Sequence, residues 1–241
     1  MKYRDRIYDR YASLGGATTR EMTPEAARRW HQSLRFHFGK FLPEDRGARI
    51  LEVACGQGEF LRFLQDQGYE RVSGVDISPE QIAIAKHVCD DVHLGDALAF
   101  LADHTDEYDY VVGLDIIEHF YKDEAVTFLE HVHGALAPGG HLLMSTPNGS
   151  HIFSEPRYYD FTHEICFTPH SMSQLLGVCG FETVAFGEGG PAPVSASSAV
   201  RFALWKGVVR PLIRAYNLVE QGHGGSGVYT RNFIVLARKT S

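Results

Sequence analysis

Ile50-Leu-Glu-Val-Ala-Cys-Gly-Gln-Gly-Glu-Phe60 joins an apolar run to an acid and two closely spaced glycines. Arg49 to Val53 reads as a short buried strand, and Gly56 to about Gln67 as a helix closed by Gly68. Gly56 and Gly58 let the backbone approach a ligand without side-chain obstruction. A helix starting there points free N–H groups and its positive dipole end at a phosphate or carboxylate.

The same alternation extends outward. Val72 to Val75 is the next strand, and Ser78-Pro-Glu-Gln81 forms a capping box before a helix through IAIAKHV. Asp91 to Leu94 is a short strand, Ala97 to Ala102 a short helix and Tyr110 to Leu114 a strongly apolar strand. A helix over Asp123 to Leu136, a turn at Pro138-Gly-Gly140 and a strand over His141 to Ser145 follow. This repetition predicts a parallel sheet covered on both faces, with right-handed crossovers. Upstream, Thr23-Pro24 opens a helix that runs to about Leu42. Downstream, positions 147–168 read as an aromatic and polar loop, then a helix over Ser171 to Val178 and a strand over Glu182 to Phe186. A basic amphipathic segment at 199–220 lies between two glycine-rich stretches, ahead of a last strand over Asn232 to Ala237. One domain is expected: a helical cap over 1–45, a cofactor-binding core over 46–148, and a substrate-side loop, helical insertion and last strands over 149–241.

Composition narrows the function classes. At 241 residues and 44% hydrophobic content the chain supports a sizeable core. A net charge of -7 argues against broad electrostatic binding to nucleic acid. Cys55, Cys89, Cys166 and Cys179 show no CxxC spacing and read as free thiols in a reducing compartment. The N-terminal MKYRDRIYDRY has no apolar h-region, and no apolar run approaches a membrane span, so a cytoplasmic location is expected.

Ligands of an open parallel sheet bind beyond the carboxyl ends of its strands. The first strand ends in Glu52-Val-Ala-Cys-Gly-Gln-Gly58, and the second ends at Asp76, 24 positions after Glu52. A carboxylate there can accept both ribose hydroxyls of a nucleoside, and Asp96 after the third strand can accept from an adenine amino group. A nicotinamide fold wants a third glycine, where this chain has Leu61.

With GVDIS, GDALAF, YDYVVGLDIIEHF and LAPGGHLLMSTPN, the pattern resembles the class I S-adenosylmethionine methyltransferase superfamily over roughly positions 50–148. Ala54 stands where the superfamily has its first glycine, a mild departure because Ala is small. The resemblance implies an α/β, Rossmann-like fold with a seven-stranded, mostly parallel sheet and an antiparallel last strand. It also implies S-adenosylmethionine as cofactor. Glu52 and the backbone of Ala54, Cys55, Gly56 and Gly58 would then lie near the methionine part, and Asp76 would hold the ribose. Ile77 and Ala97 would flank adenine, with Asp96 on its amino group, and Leu114 and Asp115 would line the pocket near the donor.

Methyl transfer to a hydroxyl needs an aligned acceptor and a base. Asp115-Ile-Ile-Glu118-His119 closes the fourth strand, and the later loop adds Arg157, Tyr158, Tyr159, Asp160, His163 and Glu164. His119 and His163 are the candidate bases, with Asp160 beside them, and Arg157, Tyr158 and Tyr159 the candidate substrate contacts. The blander uses are packing for His119 and a loop-stabilising hydrogen bond to Asp160 for His163. Asp115, Glu118, His119 and His163 are also candidate ligands for a divalent metal, an arrangement that resembles the metal-dependent small-RNA 2′-O-methyltransferases. The whole pattern YDRYAS … TPNG … DFTHEICFTPHSMSQLLGVCGFETV looks more like bacterial methyltransferases of polysaccharide and glycolipid biosynthesis, which implies a sugar hydroxyl as acceptor. It is similar also to the ubiquinone-pathway O-methyltransferases, whose acceptors are phenolic. A non-catalytic binding domain is the remaining alternative. A small molecule or glycan is the expected partner, with nucleic acid disfavoured. The 199–220 segment is either a lid or dimer helix or a peripheral membrane contact, and Pro211 should kink or divide it.

Overall fold

The computed structural model describes Ile7, residues 23–153 and residues 158–240. Helix α1 (Pro24–Phe38) is capped by the Thr23 side chain on the Ala26 amide and ends in a 3-10 turn, Gly39–Phe41. The core then alternates β1 (Arg49–Val53), α2 (Glu59–Asp66), β2 (Arg71–Asp76), α3 (Pro79–Ala85), β3 (Val92–Leu94), α4 (Ala97–Ala102), β4 (Tyr108–Leu114), α5 (Lys122–Ala135) and β5 (Leu136–Pro147). After a long loop come α6 (Pro169–Val178), β6 (Phe181–Glu188), α7 (Ala196–Leu204), α8 (Arg210–Gln221) and β7 (Asn232–Lys239).

The seven strands stand in the order β3-β2-β1-β4-β5-β7-β6. β1 to β5 pair in parallel, while β7 runs antiparallel to both β5 and β6. The expected Rossmann-like sheet is therefore present, with its antiparallel last strand. Each strand feeds two cores because alternate residues face opposite ways. Leu51, Val111, Leu142 and Met144 pack on the side of α5 and α6, with Phe128, Leu129 and Met172. Ile50, Tyr110, Val112 and Leu143 pack on the side of α1, α2 and α3, with Phe38, Phe60 and Ile82.

Three local expectations are corrected. Helix α2 begins at Glu59, because Gly56 and Gly58 adopt φ +53° and +80° and so form the loop rather than the first turn. Pro138-Gly-Gly140 lies inside β5 instead of before it: Leu136 pairs with Tyr108 and His141 with Tyr110, so the extra residues bulge out of the ladder. The division expected at Pro211 takes the form of a π turn, Trp205–Val209, between α7 and α8. Pro211 brings no N–H to the helix ladder, and the widened turn ahead of it accommodates the ring.

Candidate active site

The ends of β1 and β2 are joined by Asp76. Its Oδ2 accepts from the Gly56 amide at 2.9 Å and its Oδ1 from the Ser78 amide at 2.8 Å. The carboxylate is thus fixed at the strand end, with further lone pairs for hydroxyl donors. Burial raises its pKa, against the lowering effect of those two amides. Glu52 lies behind the loop, 3% exposed, and its Oε2 has no hydrogen-bond partner. Burial first, then the charges of Asp76 and Glu59, push its pKa well up. A buried carboxyl of this kind suits an ammonium group such as that of the methionine moiety.

The loop between them is strained at one residue. Ala54 has φ +56°, a left-handed conformation that disfavours any side chain. The missing glycine is therefore a conformational departure as well as a change of size. The absence of a third glycine at Leu61 is compensated on the neighbouring strand. A Cβ on Gly74 would meet Cys55 Sγ and Leu61 Cδ1 at 2.8 Å, so helix and sheet approach closely there. On the rim, Ile77 is 50% exposed and Ala97 opens α4. Asp96 caps that helix through its Oδ1 on the Ala99 amide at 3.0 Å, a structural use beside the one expected.

The exit of β4 holds the second cluster. Leu114 is half-buried, and Asp115 follows in a left-handed turn at φ +52°. Asp115 Oδ1 accepts from Ser145 Oγ and from Asn232 Nδ2, both at 3.0 Å. It opens to solvent at the mouth, yet the surrounding walls desolvate it enough to raise its pKa. Glu118 is fully buried. Thr146 Oγ1 donates to its Oε2 at 3.0 Å, and burial followed by the Asp115 charge pushes its pKa well up. The Glu118 carbonyl accepts from the Glu164 and Ile165 amides, which pins the later loop against the strand end.

That pinning brings the two histidines together, with ring centroids 4.9 Å apart and planes at 72°. His163 Nε2 is 4.0 Å from Glu118 Oε1. His119 Nδ1 is 2.8 Å from Thr162 Oγ1, which itself donates to Asp160 Oδ1 at 2.6 Å. Because the Thr162 hydroxyl proton is committed to Asp160, Thr162 Oγ1 accepts from His119 Nδ1–H, and Nε2 becomes the basic nitrogen. Asp160 therefore acts through Thr162 on His119, and the side-chain bond between Asp160 and His163 is not formed. Thr162 and Asn232 were not singled out from sequence. The D-x-T spacing beside His163 is a local signal for the first, and nothing local marks the second.

Ligand atoms of Glu118, His119 and His163 all lie within 4.8 Å of one another. Asp115, the fourth candidate, lies outside that group, and its carboxylate accepts from Ser145 and Asn232. Tyr158 and Tyr159 are about three-quarters exposed on the outer rim, the latter 5.7 Å from the Arg231 guanidinium. Arg157 lies outside the described residues.

A cleft of about 400 Å³ opens between α1, the end of β6 and the π turn. Phe36, Phe202 and Trp205 supply aromatic surface, while His37, Lys206 and Arg210 supply polar groups. His37 Nδ1 and Trp205 Nε1 are buried without hydrogen-bond partners. Its Gly187–Gly190 wall adjoins the β4 exit, since the Gly189 amide donates to the Asn232 carbonyl and Asn232 bonds Asp115.

This sheet, its glycine loop and the acids at its strand ends form a Rossmann-like methyltransferase fold. A protein family described as a methyltransferase domain matches residues 22–185, and the chain belongs to that family. A ubiquinone biosynthesis O-methyltransferase of Azoarcus sp. is 31% identical over 109 residues, 42% of this chain and 45% of that protein. The cyclopropane-fatty-acyl-phospholipid synthase of Escherichia coli K12 is 29% identical over 100 residues, 42% of this chain and 26% of that protein. The chain thus spans less than half the length of these relatives. In fold it is similar to the crystal structure of an S-adenosylmethionine-dependent methyltransferase from Archaeoglobus fulgidus, with a TM-score of 0.65 at 20% identity, covering 88% of this chain and 94% of that one. Among the described residues, no helix is long and apolar enough to cross a membrane.

Proposed function

We propose that the chain methylates a hydroxyl group of a sugar or glycoconjugate, with His119 as general base. The observation that carries this reading is the Asp160–Thr162–His119 relay at the β4 exit. When bound, S-adenosylmethionine supplies a methyl carbon on a sulfonium, whose S–C bond breaks toward sulfur as the O–C bond forms. Glu52, Asp76 and the 54–58 backbone hold the methionine and ribose parts, while Ile77, Asp96 and Ala97 receive the adenine. His119 Nε2 takes the hydroxyl proton, and the resulting imidazolium is stabilised through Thr162 by the Asp160 carboxylate. The cleft beside Asn232 suits a polyol ring, because it combines aromatic faces with buried donors and acceptors.

The test combines isothermal titration with S-adenosylmethionine and turnover on a panel of sugar and phenolic acceptors. Asp76→Ala should abolish cofactor binding. His119→Ala should retain it while lowering kcat by about 100- to 10,000-fold. Full activity in His119→Ala removes the base assignment, and turnover confined to phenols removes the sugar. The Glu118, His119 and His163 group favours a second reading, metal-assisted transfer to a diol. Activity lost to chelator and restored by a divalent ion selects it, and chelator-insensitive turnover excludes it.

A further inference from the structure

The insertion between β6 and β7 carries two faces along one helical rod. Its inner face packs on the protein through Ser198, Phe202, Trp205, Arg210 and Ile213. Trp205 and Arg210 are five positions apart, the spacing of one π turn, and that turn keeps α7 and α8 in register on this face. The opposite face is apolar and points outward. Val200, Leu204, Val208, Leu212 and Tyr216 are 49–64% exposed, and Val219 is 91% exposed. Their four-residue spacing lines them along the rod. Arg201, Lys206 and Arg214 are exposed along the same rod, Lys206 at the lip of the cleft, and the first acid of the segment is Glu220.

We propose that this outward face docks on an anionic lipid surface, lying in the bilayer interface with the stripe inserted and the positive charge of the rod drawing it to the surface. A stripe this long and this exposed needs a cover. Its charge selects which one. The segment is locally basic in a chain of net charge -7, so an anionic surface attracts this face and repels the rest. A two-fold contact between copies would bring two basic segments together, which opposes self-association. The rod is also divided by the π turn and carries several basic side chains, which suits it to lying in an interface rather than crossing it.

The experiment is sedimentation of the purified full-length protein with phosphatidylcholine vesicles, with and without one-third phosphatidylglycerol. Partitioning should be at least about tenfold higher on the anionic vesicles and should fall as salt is raised. The double variant Leu204→Glu, Leu212→Glu should lose that partitioning while keeping S-adenosylmethionine affinity and the melting temperature. Neither leucine lines the cleft, so cofactor binding reports folding independently of docking. Equal, weak binding to both vesicle types overturns the proposal. So does a wild-type dimer in light scattering that the double variant dissociates without any vesicle binding, which would assign the stripe to a second copy.

Discussion

Ala54 occupies a left-handed backbone position where the Cβ crowds the following carbonyl. Glycine there removes the clash, although it also enlarges the unfolded ensemble. Ala54→Gly should therefore leave stability unchanged or raise it by up to about 1 kcal/mol in urea denaturation, with cofactor affinity preserved. A clear loss of stability would show that the Cβ makes contacts that outweigh the strain. His119 is the other residue whose surroundings define its use. The Thr162 hydroxyl sits between it and Asp160, so Thr162→Val removes the relay without changing shape greatly. The variant should lower kcat more than it alters KM and shift the pH profile of kcat. Thr162→Ser should restore both, an outcome that a purely structural role would not produce.

At the scale of elements, Gly74 governs how closely α2 lies on the sheet. Added carbon would press on Cys55 and Leu61, neither of which has open space nearby. Gly74→Ala should destabilise the protein by about 1–3 kcal/mol, read from the denaturant midpoint. The sequence shows the elements well where periodicity and caps agree: β1 spans Arg49–Val53 and α4 spans Ala97–Ala102, as their residues predict. It is weaker where tertiary pairing decides. Pro138-Gly-Gly140 has turn chemistry, and only the β4 partner makes it a bulge within β5. The strand-end acids Glu52, Asp76, Asp115 and Glu118 are legible because the strands align them on one edge. The meeting of His119 with His163 and Thr162 is not, since it depends on the Glu118 carbonyl capturing a loop over forty positions away. Asn232 arrives from farther still, carried in by β7.

Taken as a whole, the molecule concentrates four buried or desolvated carboxyls at one edge of its sheet, each with a raised pKa. A carboxyl whose folded pKa lies above its unfolded value binds its proton more tightly when folded. Its contribution to stability is complete below the unfolded value, 4.5 for Glu118, and is lost as pH rises through the raised folded value. The ligand-free protein should accordingly give up stability on this account as pH rises above 4.5 toward the raised folded value. Glu118→Gln keeps the acceptor for Thr146 and cannot ionise. Its melting temperature relative to wild type should rise with pH across that window, and a constant difference would place the titration elsewhere.

The π turn imposes a rule of length on the insertion. Gly207 lies within it and meets nothing within 4 Å where a Cβ would stand, so Gly207→Ala should be accepted. Deleting the same residue lets the turn close to α geometry: Trp205 and Arg210 become four positions apart, again one turn, so the register of α8 is kept. Arg210 should stay against Glu188, now 3.3 Å distant, whereas adding a residue there would rotate everything after it by about 100° and break the outward stripe. The segment should tolerate a spelling change or one missing letter at that point and reject an added one.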